Sequence, residues 1–140
     1  SNIYNALVKY DPTNKNYYKH NLDNFLTHID NTNNKIKDIL KDTKLTKFMV
    51  FHPSWGYFAN EYNLIQFPIE LEGKQPKPKE LINIINQARK QKIKVIFVSP
   101  EFSHKLALTI ANELKIKVKK VSPLNPNWSK NLIDLAKAID

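Results

Sequence analysis

With 140 residues, 41% of them hydrophobic and 25% charged, the chain is the size of one ordinary domain and can bury about two thirds of its unfolded surface. No apolar run approaches the ~20 residues of a bilayer span, and the lack of cysteine excludes disulfides, thiolate metal sites and cysteine nucleophiles. The net charge of +9 is weak evidence for nucleic acid, because Arg89 is the single arginine among 22 basic residues and arginine supplies the bidentate fork for phosphate and guanine. A solvated surface of scattered lysines is the simpler reading.

In chain order, Asn2–Tyr10 reads as the tail of a helix already under way, which suggests a fragment or a processed product. Asp11-Pro-Thr-Asn14 breaks that helix; proline suits a first turn, and Asp11 or Thr13 can cap the next helix. A long helix is predicted from Asn14 to Lys41, with Tyr18, Leu22, Phe25, Leu26, Ile29, Ile36, Ile39 and Leu40 at helical spacing. Its middle, Asp30-Asn-Thr-Asn-Asn34, is poor helix material and needs either a bend or support from packing. Such a helix is roughly 40 Å long, more than four strands need for cover, so it reads as a strut.

From Lys47 the pattern alternates between strand and helix. A first strand at Lys47–Phe51 is followed by a short helix at Ser54–Tyr62, with Ser54 as its cap. A second strand, Leu64–Ile69, runs into the exposed loop Glu70–Pro78. The helix Lys79–Lys92 leads to a third strand, Val95–Val98, apolar on both faces as a central parallel strand should be. The helix Ser103–Lys115 precedes a fourth strand, Ile116–Val121, whose Lys117, Lys119 and Lys120 mark a sheet edge. A closing helix spans Trp128–Ile139.

The fold class is therefore α/β: a four-stranded parallel sheet with right-handed crossovers, order 2-1-3-4, preceded by one long helix. Its switch point lies between strands 1 and 3, where open α/β folds hold ligands beyond the carboxyl ends of the strands. His52, ending strand 1, Glu101 after strand 3 and Ser122 after strand 4 are the candidate functional residues, with Trp55 and Glu101 lining the crevice.

A lone histidine is commonly a hydrogen-bonded structural residue; at a strand end in the crevice it is equally a candidate ligand. As a metal ligand, His52 suits zinc, with its second ring nitrogen held by an outer acceptor. As a catalytic base it needs a nucleophile and an orienting acid. Ser54 is better explained as a cap, and no nucleophile elbow, phosphate loop or carboxylate pair is present, so an enzyme has little support. His20 and His28, eight residues apart on the long helix, are too distant to chelate one ion and read as surface residues, as does His104. Trp55, Tyr57 and Phe58 read as a cluster packing the short helix onto the sheet, in preference to a platform for bases.

The stretches Phe51-His-Pro-Ser-Trp-Gly-Tyr-Phe-Ala59, Pro68-Ile-Glu70, Glu72-Gly-Lys-Gln-Pro-Lys-Pro-Lys-Glu-Leu81 and Lys94-Val-Ile-Phe-Val-Ser-Pro-Glu-Phe-Ser103 resemble, in order, the zinc- and manganese-binding solute receptors of ABC importers. Ile3–Asn14 is similar to the segment leading into that family's interlobe helix. The resemblance implies two α/β lobes joined by a rigid helix, with metal held between them. Residues 1–42 then correspond to the end of a preceding helix and the linker helix, and residues 43–140 to the C-terminal lobe, with the N-terminal lobe absent.

The resemblance further implies His52 as a metal ligand and Ser122 at a position where many members carry aspartate. A histidine favours Zn2+ over the alternative, Mn2+. A neutral serine makes a poor ligand and leaves water, a carboxylate of the other lobe or Ser122 itself, weakly, to complete the set. The implied partners are a membrane permease and the missing lobe, without nucleic acid, in the periplasm or anchored outside the cytoplasmic membrane. The fragment alone should bind metal weakly, and its uncovered long helix invites a non-physiological dimer. The alternative is a stand-alone α/β interaction or nucleic-acid-binding module, whose DNA affinity would fall steeply with salt.

Overall fold

The computed structural model describes residues 1–44, 46–70, 73–100 and 105–140. Helix α1 (Asn2–Tyr10) ends at Asp11, and a single 3-10 turn at Pro12–Asn14 leads into α2 (Lys15–Leu40). The Asp11 carboxylate caps no helix amide; it accepts from Asn14 Nδ2 at 2.8 Å and from the Tyr18 hydroxyl at 2.7 Å, tying the joint together through side chains. Helix α2 runs unbroken through 30–34, and packing explains why. Thr32 is buried there, donating to the His28 carbonyl at 2.8 Å and sharing a 2.6 Å bond with the Ser129 hydroxyl of α6 (Trp128–Ile139). One turn on, Ile36 is wholly buried. Tertiary contact thus overrides poor local propensity.

Four strands, β1 (Lys47–Val50), β2 (Ile65–Pro68), β3 (Val95–Val98) and β4 (Lys117–Lys120), form one all-parallel sheet in the predicted order 2-1-3-4. The alternation of side chains across a strand divides the core in two. Phe48, Val50, Val95 and Phe97 face a layer made by α2, α6 and the short α3 (Gly56–Glu61), where they meet Ile36, Phe58, Leu135 and Ile139. Met49, Ile96, Val98 and the strand-flanking Ile69 face α4 (Pro78–Lys90) and α5 (Lys105–Leu114), meeting Ile84, Ala88, Ala107 and Ile110. Strand β3 is buried throughout, as a central strand must be, and β4 exposes Lys117, Lys119 and Lys120 at the edge.

Three helices hand over to strands through the same turn. Asn63, Lys92 and Lys115 adopt left-handed φ angles of 54°, 55° and 56°. The next residue's amide reaches back to the helix each time: Leu64 to Ala59 O at 2.8 Å, Ile93 to Ala88 O at 3.1 Å and Ile116 to Ala111 O at 3.0 Å. These are Schellman closures, each with an apolar residue buried or half-buried just past the cap.

The expected Ser54 cap is not formed. Helix α3 begins two residues later, at Gly56, and the amide of Trp55 donates to Gln66 Oε1 of β2 at 2.7 Å. The aromatic cluster is divided: Trp55 and Phe58 are buried edge to face, whereas Tyr57 is 97% exposed.

Candidate metal site

Parallel pairing of β1 with β2 joins Lys47 to Ile65 and Val50 to Pro68, a constant offset of 18 residues. The ladder continues past both strands, since Ile69 N donates to Val50 O at 2.8 Å and Glu70 N to Phe51 O at 3.1 Å. On the other side, Phe51 N donates to Phe97 O of β3 at 2.9 Å. Extending the same offset places residue 70 beside residue 52. The His52 Nδ1 and Glu70 Oε2 atoms are 2.7 Å apart.

That contact has a definite chemical sense. A carboxylate only accepts, so the ring donates Nδ1–H to Glu70, and in a neutral imidazole that leaves the lone pair on Nε2. Metal-binding histidines characteristically donate one ring N–H to a carboxylate or carbonyl, which fixes tautomer and orientation while the second nitrogen meets the ion. Glu70 is well shielded, its side chain 15% exposed, while His52 is about half exposed at 48%. The turn beyond His52 is stiff: Pro53 confines His52 to extended backbone, and Ser54 N donates to His52 O at 2.8 Å.

The other sequence candidates lie as follows. Ser122 comes after β4, two strand spacings from β1, or roughly 10 Å across the sheet. Its hydroxyl accepts from Leu124 N at 3.1 Å, and its carbonyl accepts from Asn131 Nδ2 at 2.9 Å, fixing the turn into α6. Trp55 is buried in the core under α3. Glu101 and His104 lie outside the described residues. On α2, His20 pairs with Asn24 at 3.0 Å, and His28, though exposed, sets its ring edge to face with Trp128 at 5.1 Å. Among the described residues no three His, Asp or Glu side chains converge closely enough to hold an ion. What they offer is one oriented imidazole, a donor that suits zinc as a single ligand of several.

Local sequence patterns do not single out Glu70 as the partner of His52. The signal lies in the strand register: pairing the two apolar runs with the offset that aligns their cores puts residues 52 and 70 side by side.

Known proteins resemble this chain in sequence and fold. The family model for the periplasmic zinc-uptake complex component A, ZnuA, matches residues 1–139. The high-affinity zinc uptake system protein ZnuA of Bacillus subtilis (strain 168) is 30% identical over 125 residues, covering 88% of this chain and 39% of that protein. A crystal structure of ZnuA superposes with a TM-score of 0.94 at 39% identity, covering 98% of this chain and 54% of that one. A zinc-bound ZnuA deletion mutant gives 0.90 at 39% identity, with 98% and 53% covered. The chain therefore spans between two fifths and about half of these proteins' lengths.

Proposed function

The chain belongs to the zinc-uptake component A (ZnuA) family, and we propose that it is the linker helix and C-terminal lobe of a zinc receptor serving an ABC importer. Residues 1–42 act as the strut and residues 43–140 as the lobe. The chain's span of about two fifths to one half of the longer relatives supports reading it as one part of a larger receptor. The partner lobe packs along α1 and α2, where Ile3, Leu7, Phe25 and Leu26 are exposed.

The observation that carries the reading is the His52–Glu70 pair beyond the carboxyl ends of the adjacent strands β1 and β2. Zinc is the cargo: it is held between lobes by His52 Nε2 and ligands of the other lobe, and handed to a membrane permease outside the cytoplasmic membrane. Imidazole nitrogen favours zinc over manganese, which prefers harder oxygen donors. Ser122 stands at the far side of the crevice and, as a neutral hydroxyl already fixing a turn, contributes at most a weak fourth contact. The work is capture and release, without a bond-making step. With one ligand from this lobe, the isolated chain binds zinc far more weakly than the whole receptor.

The test is a competitive zinc titration of the whole receptor beside its His52→Ala variant. Sub-micromolar binding that collapses in the variant is expected. Equal affinity in the two would overturn the assignment of His52 and reduce the likeness to one of fold.

A further inference from the structure

We propose that Glu70 is the positioning residue of this lobe: it acts on the His52 ring and not on the ion, fixing the Nδ1–H tautomer so that zinc is met by Nε2 alone. The inference rests on the reading of His52 as a zinc ligand, and three features of the structure carry it.

The first is that the pair is built by the backbone. The amides of Ile69 and Glu70 donate to Val50 and Phe51 across the sheet, so the two Cα atoms are held in register by the same ladder that makes the core. The second is asymmetry of exposure. The ring is about half exposed at 48%, whereas the carboxylate that receives its proton is only 15% exposed. A carboxylate in that position has given up most of its water for the imidazole, and its reach toward a metal at the mouth is reduced. The third is stiffness. Ile69, wholly buried, anchors Glu70 from behind, and Pro53 restricts the backbone of His52 from in front.

A ligand held in this way loses less rotamer freedom on binding. Loss of such an outer partner commonly weakens metal affinity 10- to 100-fold. Glutamine at position 70 keeps an acceptor oxygen for Nδ1–H without the charge, so it should restore the tautomer and most of the affinity.

The experiment has two arms. In the zinc-free 140-residue chain, ring 15N shifts of His52 are recorded at a pH where imidazole is neutral, for the parent, Glu70→Gln and Glu70→Ala. The parent and the glutamine variant should show Nδ1–H, and the alanine variant a shift toward Nε2–H. In a competitive zinc titration of the whole receptor, Glu70→Ala should weaken binding by about 10- to 100-fold and Glu70→Gln by less than about tenfold. An unchanged tautomer in Glu70→Ala, or an affinity within about twofold of the parent, overturns the proposal. If instead His52→Ala binds zinc normally while the His52 tautomer still follows residue 70, the receptor reading fails and the positioning of the ring stands.

Discussion

Asp11 shows how much one exposed side chain can organise. Its bonds to Asn14 and then Tyr18 hold its carboxyl below the ordinary carboxylate range, and the same bond pushes the Tyr18 hydroxyl above its ordinary value. Because the folded pKa of Asp11 is depressed, its contribution to the joint is complete above the unfolded value of 3.8 and is lost as pH falls through the lower folded one. Acid below about pH 4 should therefore loosen the α1–α2 corner. Tyr18→Phe should raise the Asp11 carboxyl back toward the ordinary range, read by tracking its side-chain carbon in an NMR titration. An unchanged titration would show that the phenol plays no part.

His52 stands out in the sequence because a strand ending on histidine before a proline and an aromatic turn is a local pattern. Glu70 requires knowledge of which strands pair and with what offset. The capping error at Ser54 has the same origin, since the partner of the Trp55 amide is Gln66, eleven residues away on another strand.

At the scale of elements, the turns that end α3, α4 and α5 carry stored backbone cost. Only two glycines occur in the chain, so asparagine and two lysines take the left-handed positions that glycine usually fills. For a residue with a Cβ that conformation costs about 1–2 kcal/mol. The Lys92 and Lys115 side chains are exposed, so the strain is not offset by packing. Lys115→Gly should therefore stabilise the fold by about 1 kcal/mol in urea denaturation, while Lys115→Ala, which keeps the Cβ, should stay within about 0.5 kcal/mol of the parent. A destabilised glycine variant would mean that the added freedom of the unfolded chain outweighs the relieved strain. The elements themselves are largely legible because period and length agree in each, and β3 and β4 declare centre and edge by composition. The left-handed caps at Lys92 and Lys115 are hidden because lysine gives no sign of them. Local sequence does not decide the continuity of α2 through 30–34 for a related reason: its support, Thr32 against Ser129, spans 97 residues of sequence.

For the whole molecule, the balance of apolar surface and charge decides whether the chain is content alone. Ile3, Leu7, Phe25, Leu26 and Ile29 of α1 and α2 are between 37% and 78% exposed. A groove of about 470 Å³ between the two helices is lined by Ile3, Tyr4, Leu7, Leu22 and Phe25. This apolar concentration favours a covering surface. In the proposed receptor that surface is the other lobe; in the isolated chain a second copy can supply it. Opposing association is the net charge of +9, which repels like copies over a Debye length of about 10 Å at 0.1 M salt and about 3 Å at 1 M. The two terms separate experimentally. Sedimentation of the isolated chain should show concentration-dependent dimers that strengthen as salt rises, the reverse of what an ion-paired interface does. Replacing Leu7 and Phe25 together by lysine should return a monomer under all salts, because it removes apolar area and adds charge at the same face. A clean monomer of the parent chain at high concentration and high salt would show that the two helices are sufficient cover for one another.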